Sequence, residues 1–191
     1  MTEPLATFEQ FASLVRTRRT SLLMDRGRPV PPELVEQLCR LAVWAPNHKK
    51  TWPGRVAEFT GDGRARLGET MAADMVAADF GDAGKRDKTR TKYLRAPTML
   101  VVGCAPHENE LLDIENRDAV AAGIQNLLLG ATALGLASFW SSPALTSAPR
   151  VLELCGFDAG DRLVAMIYLG WPDGSCPAPD RPDISISRVT G

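Results

Sequence analysis

Apolar side chains fall along this sequence in two rhythms, one helical and one extended. Thr7-Phe8-Glu9-Gln10 has the spacing of a capping box, with Thr7 as N-cap and Gln10 as its reciprocal partner. Phe8, Phe11, Ala12 and Val15 then share one helical face. A second helix is expected to start at Pro31-Pro32-Glu33, where proline suits the first turn. It should bury Leu34, Leu38, Leu41, Ala42 and Ala45 and stop at Pro46. Residues 55–59 alternate as a strand that Gly61-Asp62-Gly63 ends. Leu67, Met71, Met75 and Ala78 mark a helix from Ala65 to Phe80. Gly81 to Arg95 is polar and carries Lys85, Arg86, Lys88, Arg90, Lys92 and Arg95. It is expected to be a solvated, mobile excursion rather than a polyanion patch, because Asp82 and Asp87 interrupt it. Thr98 to Cys104 is apolar enough for a strand buried on both faces. A long helix is expected from Asp113 or Asn116 to Leu136, and Gly123, Gly130 and Gly135 imply that something approaches it closely. A strand at 137–140, a helix at 149–155 and a strand at 163–169 follow, and the Pro-rich tail from Gly170 should lie extended over another surface. With no internal repeat and no linker, the pattern predicts one domain over residues 1–191, of α+β or three-layer α/β class, with helices outnumbering strands.

The totals narrow the function by exclusion. A chain of 191 residues supports one well-formed core, and 45% hydrophobic and 24% charged residues are ordinary for a globular protein. A net charge of −1 gives no support to nucleic-acid or membrane-surface binding. The uncharged run between Asp118 and Arg150 holds Gln125, Asn126 and Thr132 and breaks at Ser141-Ser142-Pro143. It fits a buried helix better than a membrane span. Cys39, Cys104, Cys155 and Cys176 show no CxxC spacing and are expected as reduced, mostly buried thiols of a cytoplasmic protein. With only His48 and His107, no metal site is expected. Glu3 and Glu9 interrupt any apolar export signal at the N-terminus.

No Ser/His/Asp set, paired-carboxylate motif, Walker loop or GxGxxG is present. That leaves binding proteins, and enzymes whose cofactor carries the difficult chemistry. Two basic clusters remain, Arg16/Arg18/Arg19 and His48/Lys49/Lys50, together with aromatic residues Trp44, Trp52, Phe139 and Trp140. Arg18-Arg19-Thr20 offers the forked donors and hydroxyl that a phosphate accepts. A cation near the pyrimidine edge stabilises the charge of a reduced flavin, and aromatic rings can cover its flat ring system. The parts list fits FMN. Bland readings stand beside it: His48 as a cap on the second helix's carbonyls, Trp140 as plain core, and Arg19 as a surface partner of Asp25.

Four segments in order resemble the FMN-dependent nitroreductase family, in its compact single-module branch. They are Arg18-Arg19-Thr20, Ala45-Pro46-Asn47-His48-Lys49, Gly135-Leu136-Ala137-Ser138-Phe139-Trp140 with Pro143-Ala144-Leu145, and Tyr168-Leu169-Gly170-Trp171-Pro172. The resemblance implies an α+β sandwich with a central, mostly antiparallel sheet flanked by helices, assembled as an intertwined homodimer. The Ala/Gly face of the long helix would pack on its symmetry mate. Two FMN molecules would sit between the subunits. Arg18, Arg19 and Thr20 would hold the ribityl phosphate and pyrimidine side, Trp44 and His48 would come from the partner chain, and Phe139, Trp140 and Ser141 would line the ring. The implied reaction is ping-pong: NAD(P)H reduces FMN, which then reduces a nitroaromatic, quinone or similar small acceptor. Trp44 and Ser141 stand where relatives often carry basic residues, and Trp52-Pro53-Gly54 replaces a common Gln-Pro-Trp. Arg55, Arg181 or Arg188 are candidates to compensate. These departures motivate an alternative, a degenerate member that binds flavin or another ligand without redox turnover.

Overall fold

The computed structural model describes residues 7–190, so Glu3 lies outside the described residues. Helix α1 (Phe8–Thr17) begins as its spacing predicts: the Thr7 hydroxyl accepts from the Gln10 N–H, and the Gln10 side-chain Oε1 accepts from the Thr7 N–H. Of its apolar face only Ala12 is buried, and Phe8, Phe11 and Val15 stay exposed. Helix α2 (Pro32–Ala42) ends earlier than its sequence stripe suggests. The amides of Trp44 and Ala45 bond to the carbonyls of Leu41 and Ala42, which tightens the last turn out of α geometry. Its buried face is Val35 and Leu38, while Leu41 is exposed and Leu34, Ala42 and Ala45 are half-buried.

A 3₁₀ turn at His48–Lys50 leads into strand β1 (Gly54–Phe59) and helix α3 (Gly63–Ala77). The basic segment after Gly81 is not an excursion. It forms helix α4 (Ala83–Lys92) and a further 3₁₀ turn, Tyr93–Arg95. The Asp82 carboxylate caps α4 by accepting from the Lys85 N–H at 2.7 Å, and Gly68 of α3 gives it a seat, since a Cβ there would overlap the Arg90 carbonyl. Arg86 pairs with Asp79 and Arg90 with Glu69, so the acidic residues tie the helix down.

Strand β2 (Thr98–Cys104) is buried along its whole length. Helix α5 (Glu110–Ala133) starts ahead of both expected positions, Asp113 and Asn116, because Asn109 caps it by accepting from the Leu112 N–H. Gly135 lies beyond its end at φ +73°. Strand β3 (Ala137–Ser141), helix α6 (Pro149–Cys155) and strand β4 (Arg162–Gly170) complete the elements, and residues 177–190 have no regular structure and are exposed.

The four described strands pair antiparallel in the order β1-β2-β4-β3. Their pleat divides the core in two. Met99, Val101, Leu163, Met166 and Tyr168 face α3 and α6, whereas Leu100, Val102, Ala165, Ile167 and Leu169 face α2 and α5. The fold is therefore an α+β sandwich with helices on both sides of an antiparallel sheet. Gly123 and Gly130 of α5 serve a close contact with α2 within the chain. A Cβ at Gly123 would lie 2.6 Å from the Ala42 carbonyl oxygen, and one at Gly130 would lie 2.6 Å from a Leu41 methyl. No described helix is long and apolar enough to cross a membrane. All four thiols are free, but only Cys104 is buried, and the others are half-buried.

Candidate functional site

The segment after α2 is held in an unusual backbone. Lys49, Lys50 and Trp52 all have positive φ, at 59°, 54° and 48°, a region that favours glycine. A directional chain of hydrogen bonds holds it there. The Trp52 N–H donates to Asn47 Oδ1 (3.0 Å) and Asn47 Nδ2 to Thr51 Oγ1 (3.0 Å). Thr51 Oγ1 then donates to Asn116 Oδ1 (2.5 Å), and Asn116 Nδ2 to the Ala105 carbonyl (3.4 Å). Asn116 is 3% exposed, so this polar chain is anchored in the core side of α5. Beside it, His48 Nδ1 lies 2.6 Å from Glu115 Oε2, a pairing that stands in place of the alternative reading of His48 as a cap on α2. Trp44 is 82% and Trp52 58% exposed. The corner thus exposes an imidazole, two ammonium groups and two indoles.

A pocket of ≈140 Å³ opens next to this corner between α2, α5 and β1, lined by Cys39, Val43, Trp52, Val56, Val120 and Ile124 among others. Burial, reinforced by Glu58 and Glu36, pushes the Cys39 thiol up to about 11, so it lines the pocket as a neutral, weakly nucleophilic group.

The arginine cluster occupies the other end of α5. Thr20 bridges Ser138 of β3, and the Ser21 N–H bonds to the Ser138 carbonyl. Arg18 reaches the Thr20 hydroxyl at 3.4 Å. Arg19 turns back instead of meeting Asp25: its Nη1 donates to the carbonyls of Arg16 and Arg18 and so closes the end of α1. Among the described residues no carboxylate pairs with Arg16, Arg18 or Arg19. Arg19 Nε and Ser138 Oγ are buried without a partner. Unpaired buried donors flanking a hydroxyl are a polar site short of an acceptor.

The structure brings Arg18, Arg19 and Thr20 up against β3, but it sends the β3 side chains to opposite faces. Phe139 meets Tyr168 edge-on at 5.6 Å on the α3–α6 side, whereas Trp140 packs into the α2–α5 side. Ser141 Oγ donates to the Ser142 carbonyl. Trp44 and His48 do not join them within the chain. Asn116, which anchors the turn after His48, and Ala133, at the end of α5 before β3, lie about 25 Å apart along the helix at roughly 1.5 Å per residue. Arg55 is also committed elsewhere, to Asp161 and to the carbonyls of Trp52 and Gly54. Sequence reasoning did not single out Thr51, Glu115 or Asn116. Only the polar positions at the start of an otherwise apolar helix signalled the last two.

The model of the nitroreductase family matches residues 15–171. "Putative NAD(P)H nitroreductase YdjA" of Escherichia coli strain K12 is 30% identical over 161 residues, which cover 83% of this chain and 86% of that protein. Iodotyrosine deiodinase 1 of Rattus norvegicus is 23% identical over 95% of this chain and 68% of its own. Among solved structures, a nitroreductase-like family protein from Bacillus cereus superposes with a TM-score of 0.79 at 25% identity, covering 94% of this chain and 95% of that one. A nitroreductase with bound FMN from Bacteroides fragilis gives 0.75 at 19% identity, over 93% and 98% of the two chains.

Proposed function

Because the chain belongs to the nitroreductase family, we propose that it is an FMN-dependent NAD(P)H oxidoreductase that reduces nitroaromatic, quinone or related small acceptors as an intertwined homodimer. The observation that carries this reading is the division of the site between the two ends of α5. One end offers arginines and a hydroxyl with unpaired buried donors, and the other offers exposed indoles and an imidazole. Neither end is a complete site, and a two-fold copy would set one against the other. Large apolar side chains left in water at Phe8, Phe11, Leu41, Val43 and Leu111 support such a partner.

The residues present fit FMN. Arg18 and the Thr20 hydroxyl would hold its phosphate, and Arg19 Nε and Ser138 Oγ, otherwise orphaned, would find acceptors on its polar edge. Trp44 and His48 would reach it from the partner. When bound, the flavin supplies the hydride chemistry that this chain's own side chains lack. The chain's part is to bind, to orient, and to keep water from the ring through Trp44 and Trp52. With one donor site serving successive reactants, the natural sequence is ping-pong.

A second reading, a member that binds flavin without turnover, draws on Arg19 Nη1 and Ser141 Oγ being spent on backbone carbonyls. The absorbance of the purified protein, with FMN added if it is colourless, separates the two. Bands near ~370 and ~450 nm that bleach with NADH or NADPH and return with a quinone are expected of a flavin in redox turnover. Bound flavin that neither reductant bleaches favours the second reading. A protein that ignores micromolar FMN overturns both as flavoprotein readings.

A further inference from the structure

Two neighbours on α5, Glu115 and Asn116, hold the corner by different means. Asn116 ends the hydrogen-bond chain that runs from the Trp52 N–H through Asn47 and Thr51 to the Ala105 carbonyl. Lys49, Lys50 and Trp52, the three corner residues in the glycine-favouring region, would relax if that chain were cut. Each member is satisfied in one direction, since every amide nitrogen donates and every amide oxygen accepts, so the turn has a single arrangement. Glu115 acts on the side chain instead. With its carboxylate 2.6 Å from His48 Nδ1, that nitrogen carries the proton and Nε2 is the one left for a ligand. This is the logic by which a carboxylate fixes the tautomer and ring plane of a working histidine.

We infer that Glu115 and Asn116 are positioning residues of the cofactor site, an inference that rests on the corner being half of an FMN site as proposed above. Glu115 sets which nitrogen of His48 faces the flavin, and Asn116, through Thr51, sets where the corner's backbone stands. Neither touches the ligand. Because both lie on α5, whose other end adjoins the arginine loop, one rigid element fixes the geometry of both half-sites.

The test compares conservative and disruptive variants by two readouts, ring ¹⁵N chemical shifts of His48 without FMN and the dissociation constant for FMN. In Glu115→Ala the Nδ1–H form should lose its dominance and FMN should bind about tenfold more weakly. Glu115→Gln keeps an acceptor for Nδ1–H and should retain both properties. Asn116→Ala and Thr51→Val should shift the backbone amides of residues 49–52 and weaken FMN by a similar factor, while Thr51→Ser should stay near the wild type. An FMN affinity unchanged within twofold in Glu115→Ala and Thr51→Val overturns the positioning role alone. Equal losses in Glu115→Gln and Glu115→Ala do so as well. A wild-type protein that binds no FMN overturns the flavin reading and this role with it.

Discussion

Gly123 and Gly130 stand two turns apart on α5 and face the same helix, yet they meet different atoms. An added methyl at Gly123 would press on the Ala42 carbonyl oxygen at 2.6 Å, which moves only with the backbone of α2. At Gly130 it would meet the ends of Leu41 and Leu38, at 2.6 and 2.9 Å, which can rotate aside. Alanine also gains about 1 kcal/mol of helix preference over glycine. Gly123→Ala is therefore expected to destabilise the protein by about 2 kcal/mol, and Gly130→Ala by less than about 1 kcal/mol. Urea denaturation of the two variants at unchanged m-value measures the difference, and equal losses would count against this account of the α2–α5 contact.

Among the elements, α6 depends on a residue from α3. The Asp74 carboxylate, 2% exposed, accepts from the Val151 N–H at 3.1 Å and from Arg150 Nη1 at 3.0 Å, and so caps a helix that has no side-chain cap of its own. Asp74→Ala would leave a buried amide unpaired and is expected to cost about 3 kcal/mol. Arg150→Ala, which removes a largely exposed partner, should cost less than about 1 kcal/mol. Thermal melts of both variants check the order. The same contrast between local and distant partners explains what the sequence disclosed. The Thr7 cap, the all-apolar β2 and the close approach at Gly123 and Gly130 are written in local pattern, and they stand as read. Helix α4 was hidden because only Thr89 of its residues is buried, so it has no apolar stripe, and its stability comes from a cap and from ion pairs to Glu69 of α3 and to Asp79 just beyond it. The buried stripe of α2 was displaced because its end unwinds after Ala42. At the site, the arginine loop and the corner were legible as motifs. Their anchors, Asn116 and Glu115, were not, because each bond spans 65 or 67 residues.

The whole molecule leaves its tail without a surface. Ile184, Ile186 and Val189 alternate with polar residues and are 84%, 62% and 96% exposed. A groove between α2 and β1 carries Glu33, Glu36 and Glu58 beside Cys39 and Val56, and burial pushes the Glu58 carboxyl up. In the proposed homodimer, Arg181 and Arg188 of a second copy's tail would match that groove in charge, and its aliphatic residues would match its apolar wall. In the homodimer proposed above, removing residues 177–191 is expected to leave a monomer and to weaken FMN binding at least tenfold, since each site would lose the partner's side. Sedimentation equilibrium with an FMN titration checks both, and a truncated chain that stays dimeric would exclude the tail as the clasp. Helix α5 carries a further consequence for how such a chain can change over time. One residue gained or lost between Asn116 and Ala133 would turn one half-site by roughly 100° relative to the other and slide it by roughly 1.5 Å. In a two-fold assembly that error would enter both sites at once. In the proposed assembly this helix would act as a gauge block whose residue count must be kept whole.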